Sequence, residues 1–297
     1  FRELKEHREN ARYRDWFCDV NFWGNNEYND GFSYDNWGGY NLLVKLNQKN
    51  PAVVDYICDV IRFWVSEFDV DGIRLDAADV LDFDFMRALR RTAAEVKEDF
   101  WLMGEVIHGD YSRWVNGETL HSVTNYALHK ALYSGHNDHN YFEIAHTVKY
   151  LQNMGDLDLY NFVDNHDVTR VASILTNEKH LPLIYAIAFG MPGIPCVYYG
   201  SEWGEKAKKE DGDPALRVCF EAPQWNELTE WISKLAEAKK QSKALCYGNF
   251  YSVVLTNGQC VFGRECDGER VLVCINAADQ SFFAGFDMGK GDATDLI

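Results

Sequence analysis

Three carboxylates follow three short apolar runs in this 297-residue chain: Asp76 after Gly72-Ile73-Arg74-Leu75, Glu105 after Trp101-Leu102-Met103-Gly104, and Asp167, closing Val163-Asp164-Asn165-His166-Asp167, after Leu159-Tyr160-Asn161-Phe162-Val163. Taken singly, an acid after a strand is an N-cap or turn residue whose side chain satisfies free backbone N–H groups. Three in order, each at the C-terminal end of its own strand, suggest one active site working by carboxylate chemistry. In a parallel α/β barrel that end is where catalytic side chains from different strands converge, so separation along the chain becomes proximity in space.

The strands must be positioned by helices, and the spacing predicts them. Asn50-Pro51 supplies a cap and a first-turn proline, after which Val53, Val54, Ile57, Val60, Ile61, Trp64, Val65 and Phe68 recur at helical spacing, as one amphipathic helix packed on a sheet. Phe85, Leu89, Ala93 and Val96 mark a second helix, polar on its other side, that leads into the Trp101 strand. The alternation continues through the runs at 122–126 and 159–163, a helix around Leu183 to Phe189, the run Ile194-Pro195-Cys196-Val197-Tyr198-Tyr199 and a last helix from about Asn226 to Gln241. Beyond it, strand-like runs at 251–255, 260–264 and 271–275 are separated by Asn257-Gly258 and Asp267-Gly268, both hairpin signals.

With these segments on the page, the chain resembles the α-amylase superfamily of retaining glycoside hydrolases, in particular its cyclomaltodextrinase, neopullulanase and maltogenic amylase branch. Gly72-Ile73-Arg74-Leu75-Asp76 is similar to the family's nucleophile segment, Met103-Gly104-Glu105-Val106 to its acid/base segment, and Phe162-Val163-Asp164-Asn165-His166-Asp167 to the segment of its third carboxylate. Leu43-Val44-Lys45-Leu46-Asn47 and Gly193 to Glu202 resemble two further family segments, so five matches occur in order. The resemblance implies an α/β fold: part of a (β/α)8 TIM barrel, with a small inserted loop domain and a C-terminal antiparallel β-sandwich domain. The boundaries it implies are 1–45 for the inserted segment leading back to the barrel, 46–243 for five strand–helix units, and 244–297 for the β domain. An eight-stranded barrel takes about 250 residues, and the family's earlier Asn-His segment has no match here. The chain is therefore expected to be part of a longer protein.

The resemblance also implies roles. Asp76 is the nucleophile, Glu105 the acid/base, and Asp167 the acid that binds sugar hydroxyls and stabilises an oxocarbenium-like ring. A donor acid needs burial or a neighbouring negative charge to hold its proton near neutral pH. Arg74 lies two residues before Asp76, so on a strand both point to the same side, where a guanidinium can fix the nucleophile; a structural ion pair has the same sequence. His166 is expected to donate to the sugar, and Asp213 and Arg217, in Asp211-Gly212-Asp213-Pro214-Ala215-Leu216-Arg217, to contact sugars further away, an acidic surface turn being the alternative. Arg170 reads as a rim ion pair. Many relatives carry Trp after Glu-Val to stack on the acceptor sugar, whereas this chain has Ile107.

Composition fits a neutral glucan as partner. A net charge of −17 repels nucleic acid and anionic membranes, and no apolar run reaches the ~20 residues of a membrane span. Trp16, Trp23, Tyr28, Phe32, Tyr34, Trp37 and Tyr40 crowd the start, either as a sugar platform or to pin an irregular loop. No cofactor is required; the resemblance brings calcium in as a candidate, with Asn21, Asn25, Asn26, Asp30 and Asp35 as oxygen donors, although Asx turns use the same residues. No zinc spacing occurs among the eight cysteines, whose places inside elements favour a reducing cytoplasm. His136-Asn137-Asp138-His139 reads as a solvated loop rather than a metal site. The expected function is retaining hydrolysis of α-1,4-glucosidic bonds in malto-oligosaccharides or cyclodextrins. The alternatives are an α-glucosidase, a glucanotransferase or a non-catalytic glucan-binding relative, with oligomeric state open.

Overall fold

A computed structural model describes residues 1–297 and divides them into two compact units, one of 1–104 with 116–121, the other of 105–115 with 122–297.

In the first unit, strands β1 (Gly72–Leu75) and β2 (Trp101–Gly104) run parallel, with Gly72 opposite Trp101 and Leu75 opposite Gly104. Gly72 is required by that pairing, because a Cβ there would lie 2.4 Å from the Trp101 carbonyl oxygen. Helix α1 (Pro51–Phe68) begins as expected, Asn50 accepting from the Ala52 N–H, and α2 (Phe83–Val96) is capped by Asp82, which accepts from the Asp84 and Phe85 N–H groups. The α2 stripe Phe85, Met86, Leu89 and Ala93 is buried, but α1 departs from expectation. It buries Val53, Cys58 and Ile61, while Trp64 and Phe68 are 40% and 66% exposed. The apolar period of α1 is wider than the surface this chain offers to cover it. The aromatic run near the start divides likewise: Phe32 and Tyr34 join Leu4 and Ala11 in a small core that pins the loop, whereas Trp23, Trp37 and Tyr40 remain exposed.

In the second unit, β3 (Ser122–Val123) is followed by Thr124, which bridges in parallel to Tyr160 at the start of β4 (Tyr160–Phe162). Strand β4 pairs in parallel with β5 (Ile194–Cys196). Between β3 and β4 lie α3 (Tyr126–Asn137) and α4 (Tyr141–Gln152). His136 therefore belongs to a helix and is buried, its Nδ1 3.1 Å from the Tyr141 hydroxyl, which corrects the expectation of a solvated loop at that residue, while Asp138 and His139 are exposed in the turn that follows. Local polarity misled, because the apolar positions of α3 and α4 face each other and only that packing takes the histidine inside.

Helix α5 (Leu181–Gly190) is buried all round, as its continuous apolar composition requires. It packs on α6 (Glu227–Gln241) and on the antiparallel strands β6 (Asn249–Leu255), β7 (Gln259–Cys266) and β8 (Glu269–Asn276). The order is β8-β7-β6, and the Asp267-Gly268 turn joins Cys266 to Glu269 with both φ angles positive, as a primed hairpin needs. The antiparallel pattern is thus observed, but these residues form one three-stranded sheet rather than the two sheets of a sandwich. Its inner face is covered by α5: Phe262 and Ile275 share a core with Ile184, Ile187, Ile232 and Leu235. Lys239 and Arg264 close the end of α5, Lys239 donating to the Phe189, Met191 and Leu245 carbonyls and Arg264 to the Gly190 carbonyl. Cations suit a helix C-terminus, although burial lowers the Lys239 ammonium to a pKa of about 8.

Buried histidines give this unit a stability that depends on pH. Burial lowers His129 to about 4 and His136 to about 3. The unfolded chain takes up these protons near 6.5 and the folded chain does not. Stability is therefore full above that value and is lost as pH falls from it toward 4. Asp164, raised by burial to about 6, opposes this, since the folded state binds its proton first. Two histidines outweigh one carboxyl, leaving a net loss of about 2 kcal/mol between pH 7 and pH 5. Urea unfolding at the two pH values measures it; a midpoint as high at pH 5 as at pH 7 would contradict the argument.

Candidate active site

Asp76 stands one residue beyond the last paired residue of β1, in the first unit. Arg74 Nη1 lies 2.8 Å from its Oδ1, so the same-side geometry expected of alternate strand residues is present. The Asp76 side chain is 80% exposed, and the pair orients the carboxylate more than it stabilises the fold. Ala77, next in the chain, adopts φ 44° and ψ 45°, a left-handed conformation rare outside glycine and asparagine. The chain turns sharply away there, leaving the Asp76 side chain open.

The second unit brings together the other five residues singled out from sequence. Glu105 follows Gly104, the last residue of β2. Glu105 Oε1 accepts from the Tyr126 hydroxyl at 3.3 Å, and the Tyr126 hydroxyl oxygen accepts from Asn165 Nδ2 at 3.1 Å. Asn165 Oδ1 in turn accepts from the Asp167 N–H at 2.8 Å. A line of hydrogen bonds thus joins Glu105 to the backbone of Asp167. Tyr126 was not singled out from sequence, since a tyrosine at a helix start carries no chemical signature. Its hydroxyl is raised to about 12, first by burial, with the Glu105 and Asp167 carboxylates adding to the effect; it stays a donor at working pH.

Asp167 is held at both oxygens. His166 Nε2 lies 2.9 Å from Oδ2 and Arg217 Nη2 2.8 Å from Oδ1. The same Arg217 nitrogen is 3.5 Å from Asp213, which also lies 3.6 Å from Lys209. Arg217 therefore reaches Asp167 itself, closer than the distant sugar contact expected of it. Val106, next to Glu105, is buried with its N–H on Thr124 Oγ1 at 2.9 Å, and Ile107 is 42% exposed beyond it.

The calcium donors suggested by sequence are otherwise engaged. Asn21, Asn25 and Asn26 accept backbone N–H bonds through their side-chain oxygens, Asp30 pairs with Lys5, and Asp35 with Lys45. These contacts are those of Asx turns and ion pairs. All eight cysteines are free. No helix is long and apolar enough to cross a membrane.

Residues 1–246 match the family model described as alpha amylase, catalytic domain. The chain belongs to the alpha-amylase family. Among curated proteins it is 28% identical over 293 residues to a cyclomaltodextrinase of Geobacillus thermopakistaniensis, covering 95% of this chain and 49% of that one. It is 30% identical over 264 residues to neopullulanase 2 of Thermoactinomyces vulgaris, covering 85% and 44%. The chain thus spans about half the length of these relatives. Among solved structures, the cyclic alpha-maltosyl-(1→6)-maltose hydrolase of Arthrobacter globiformis superposes with a TM-score of 0.82 at 24% identity, over 93% of this chain and 63% of that one. That likeness supports an α/β fold of the alpha-amylase type.

Proposed function

We propose that the protein containing this chain is a retaining glycoside hydrolase that cleaves α-1,4-glucosidic bonds in malto-oligosaccharides and cyclodextrins by double displacement. The observation that carries the reading is the line of hydrogen bonds from Glu105 through Tyr126 and Asn165 to Asp167, in a chain whose residues 1–246 match the alpha-amylase catalytic domain. Retaining chemistry asks for a nucleophilic carboxylate and a carboxylic acid, the roles assigned here to Asp76 and Glu105. Asp76 attacks the anomeric carbon while Glu105 protonates the departing oxygen, and Glu105 then deprotonates the water that releases the sugar.

Asp167 supplies the third charge. Held by His166 and Arg217, its carboxylate is preorganised to accept hydroxyl hydrogen bonds that strengthen as positive charge builds on the ring. Family membership and the names of the relatives support the substrate class. Ile107 offers no aromatic face for an acceptor sugar, which favours water over a second sugar as acceptor.

Incubation of the full-length protein with maltotriose, β-cyclodextrin and pullulan tests the reading, with product length and anomeric configuration followed by NMR. Shorter sugars of retained α configuration are expected. Products longer than the substrate would move the assignment to a glucanotransferase, and no release from any of the three would remove it.

A further inference from the structure

Arg170 plays no part in the chemistry above, yet it is one of the largest side chains with no exposure to solvent. Its Nη1 donates to the Tyr199 carbonyl at 2.6 Å and to Ser201 Oγ at 3.1 Å, and its Nη2 donates to the Leu216 carbonyl at 2.8 Å. The Tyr198 ring lies against the guanidinium, 4.4 Å from it, and the Tyr198 hydroxyl donates to the same Leu216 carbonyl at 3.1 Å. All three guanidinium acceptors are neutral oxygens on two segments, 199–201 and the end of the one-turn helix Asp213–Leu216, so the rim ion pair expected from sequence is corrected to a buried clamp. Space is tight around it. Gly200 has φ 89°, and a Cβ there would lie 2.6 Å from the Phe220 ring and 3.2 Å from Arg170 Nη1.

The clamp closes a circuit. Leu216 precedes Arg217, whose Nη2 meets Asp167 Oδ1 at 2.8 Å and whose Nε reaches the His166 carbonyl at 3.4 Å. Asp167 in turn lies three residues before Arg170 in the chain. Arg170 thus bonds the carbonyl of the peptide unit that leads into Arg217, whose own N–H bonds the Asp213 carbonyl at 2.9 Å. A planar, rigid fork can hold three oxygens in fixed directions at once; a lysine ammonium is a point donor on a flexible stem.

We propose that Arg170 is a positioning residue for Asp167, acting through Leu216 and Arg217 to hold the carboxylate at the angle the reaction needs. The inference rests on the role proposed for Asp167. Its test uses the full-length protein with Arg170→Lys, Arg217→Ala and the double variant, assayed on maltotriose, together with hydrogen exchange of the 212–220 segment.

Arg170→Lys is expected to lower kcat by about tenfold to a hundredfold with KM within about threefold, since small misplacements of a reacting group are costly. In the Arg217→Ala background the same change is expected to cost less than about twofold, because the route through Arg217 is already cut. Exchange across 212–220 rises in Arg170→Lys while that of 184–189 does not. Should that variant fail to fold, Tyr198→Phe removes the other donor to the Leu216 carbonyl and is expected to lower kcat by about threefold, again only when Arg217 is present. Losses that multiply in the double variant, a wild-type kcat in Arg170→Lys, or unchanged exchange across 212–220 would each overturn the proposal. If the wild-type protein releases no sugar, the proposed activity fails, and the exchange measurement still decides whether Arg170 holds this segment.

Discussion

Asp76→Asn is expected to reduce kcat on maltotriose by ~10⁴-fold or more, the scale seen when a nucleophile is removed from an enzyme that works through a covalent intermediate. The amide has the shape of the carboxylate but neither its charge nor its ability to bond the anomeric carbon. Arg74 loses an ionic partner and keeps a hydrogen-bond acceptor. With the side chain 80% exposed, little of the fold depends on it, so the urea midpoint should match wild type. Activity and midpoint are therefore read on the same preparation. A variant that folds normally and releases sugar at the wild-type rate would end the double-displacement reading. A positive sign comes from azide added to Asp76→Ala: an external anion entering from the vacated side gives a glycosyl azide of inverted, β configuration.

Glu105→Gln tests the complementary half of the mechanism, and the departing group is the variable that isolates it. A sugar hydroxylate is a poor leaving group and needs the donated proton. Loss of the donor is expected to slow maltotriose cleavage by about 10²- to 10⁴-fold. Fluoride departs without protonation, so the glycosylation step with α-maltosyl fluoride should be slowed far less, observed as a burst of fluoride before the slower turnover of the intermediate. Tyr126 sharpens the contrast, because its hydroxyl donates to Glu105 Oε1 and can equally donate to the glutamine carbonyl, keeping the variant side chain in place. Equal slowing of fluoride release and maltotriose cleavage would remove the acid role from Glu105 and leave it a binding or structural group.

Much of the architecture was legible because it is written in local terms. Parallel strands alternating with helices read as short, mostly apolar runs, and those at β1, β2, β4 and β5 appear where such runs were found. A helix start was legible where an Asx side chain meets a free N–H, as at Asn50. Two of the unreadable parts share one property: partners distant in the chain. Tyr126 meets Asn165 across 39 residues and Arg170 meets Leu216 across 46, and neither pairing leaves a trace in spacing. His136 looked solvated because its sequence neighbours are polar, whereas its spatial neighbours are Tyr141 and His180.

The sequence alone determined which residue types stand at the strand ends, and with them the carboxylate chemistry, since strand period, capping and turn preferences act over a few residues. Only the tertiary structure decided how those groups are held: Asp76 open to solvent beside Arg74, Asp167 gripped at both oxygens, Arg217 fixed from behind by a buried guanidinium. Such contacts depend on which surfaces meet when segments tens of residues apart pack together, and a directional hydrogen bond between them exists only once that packing has set distance and angle.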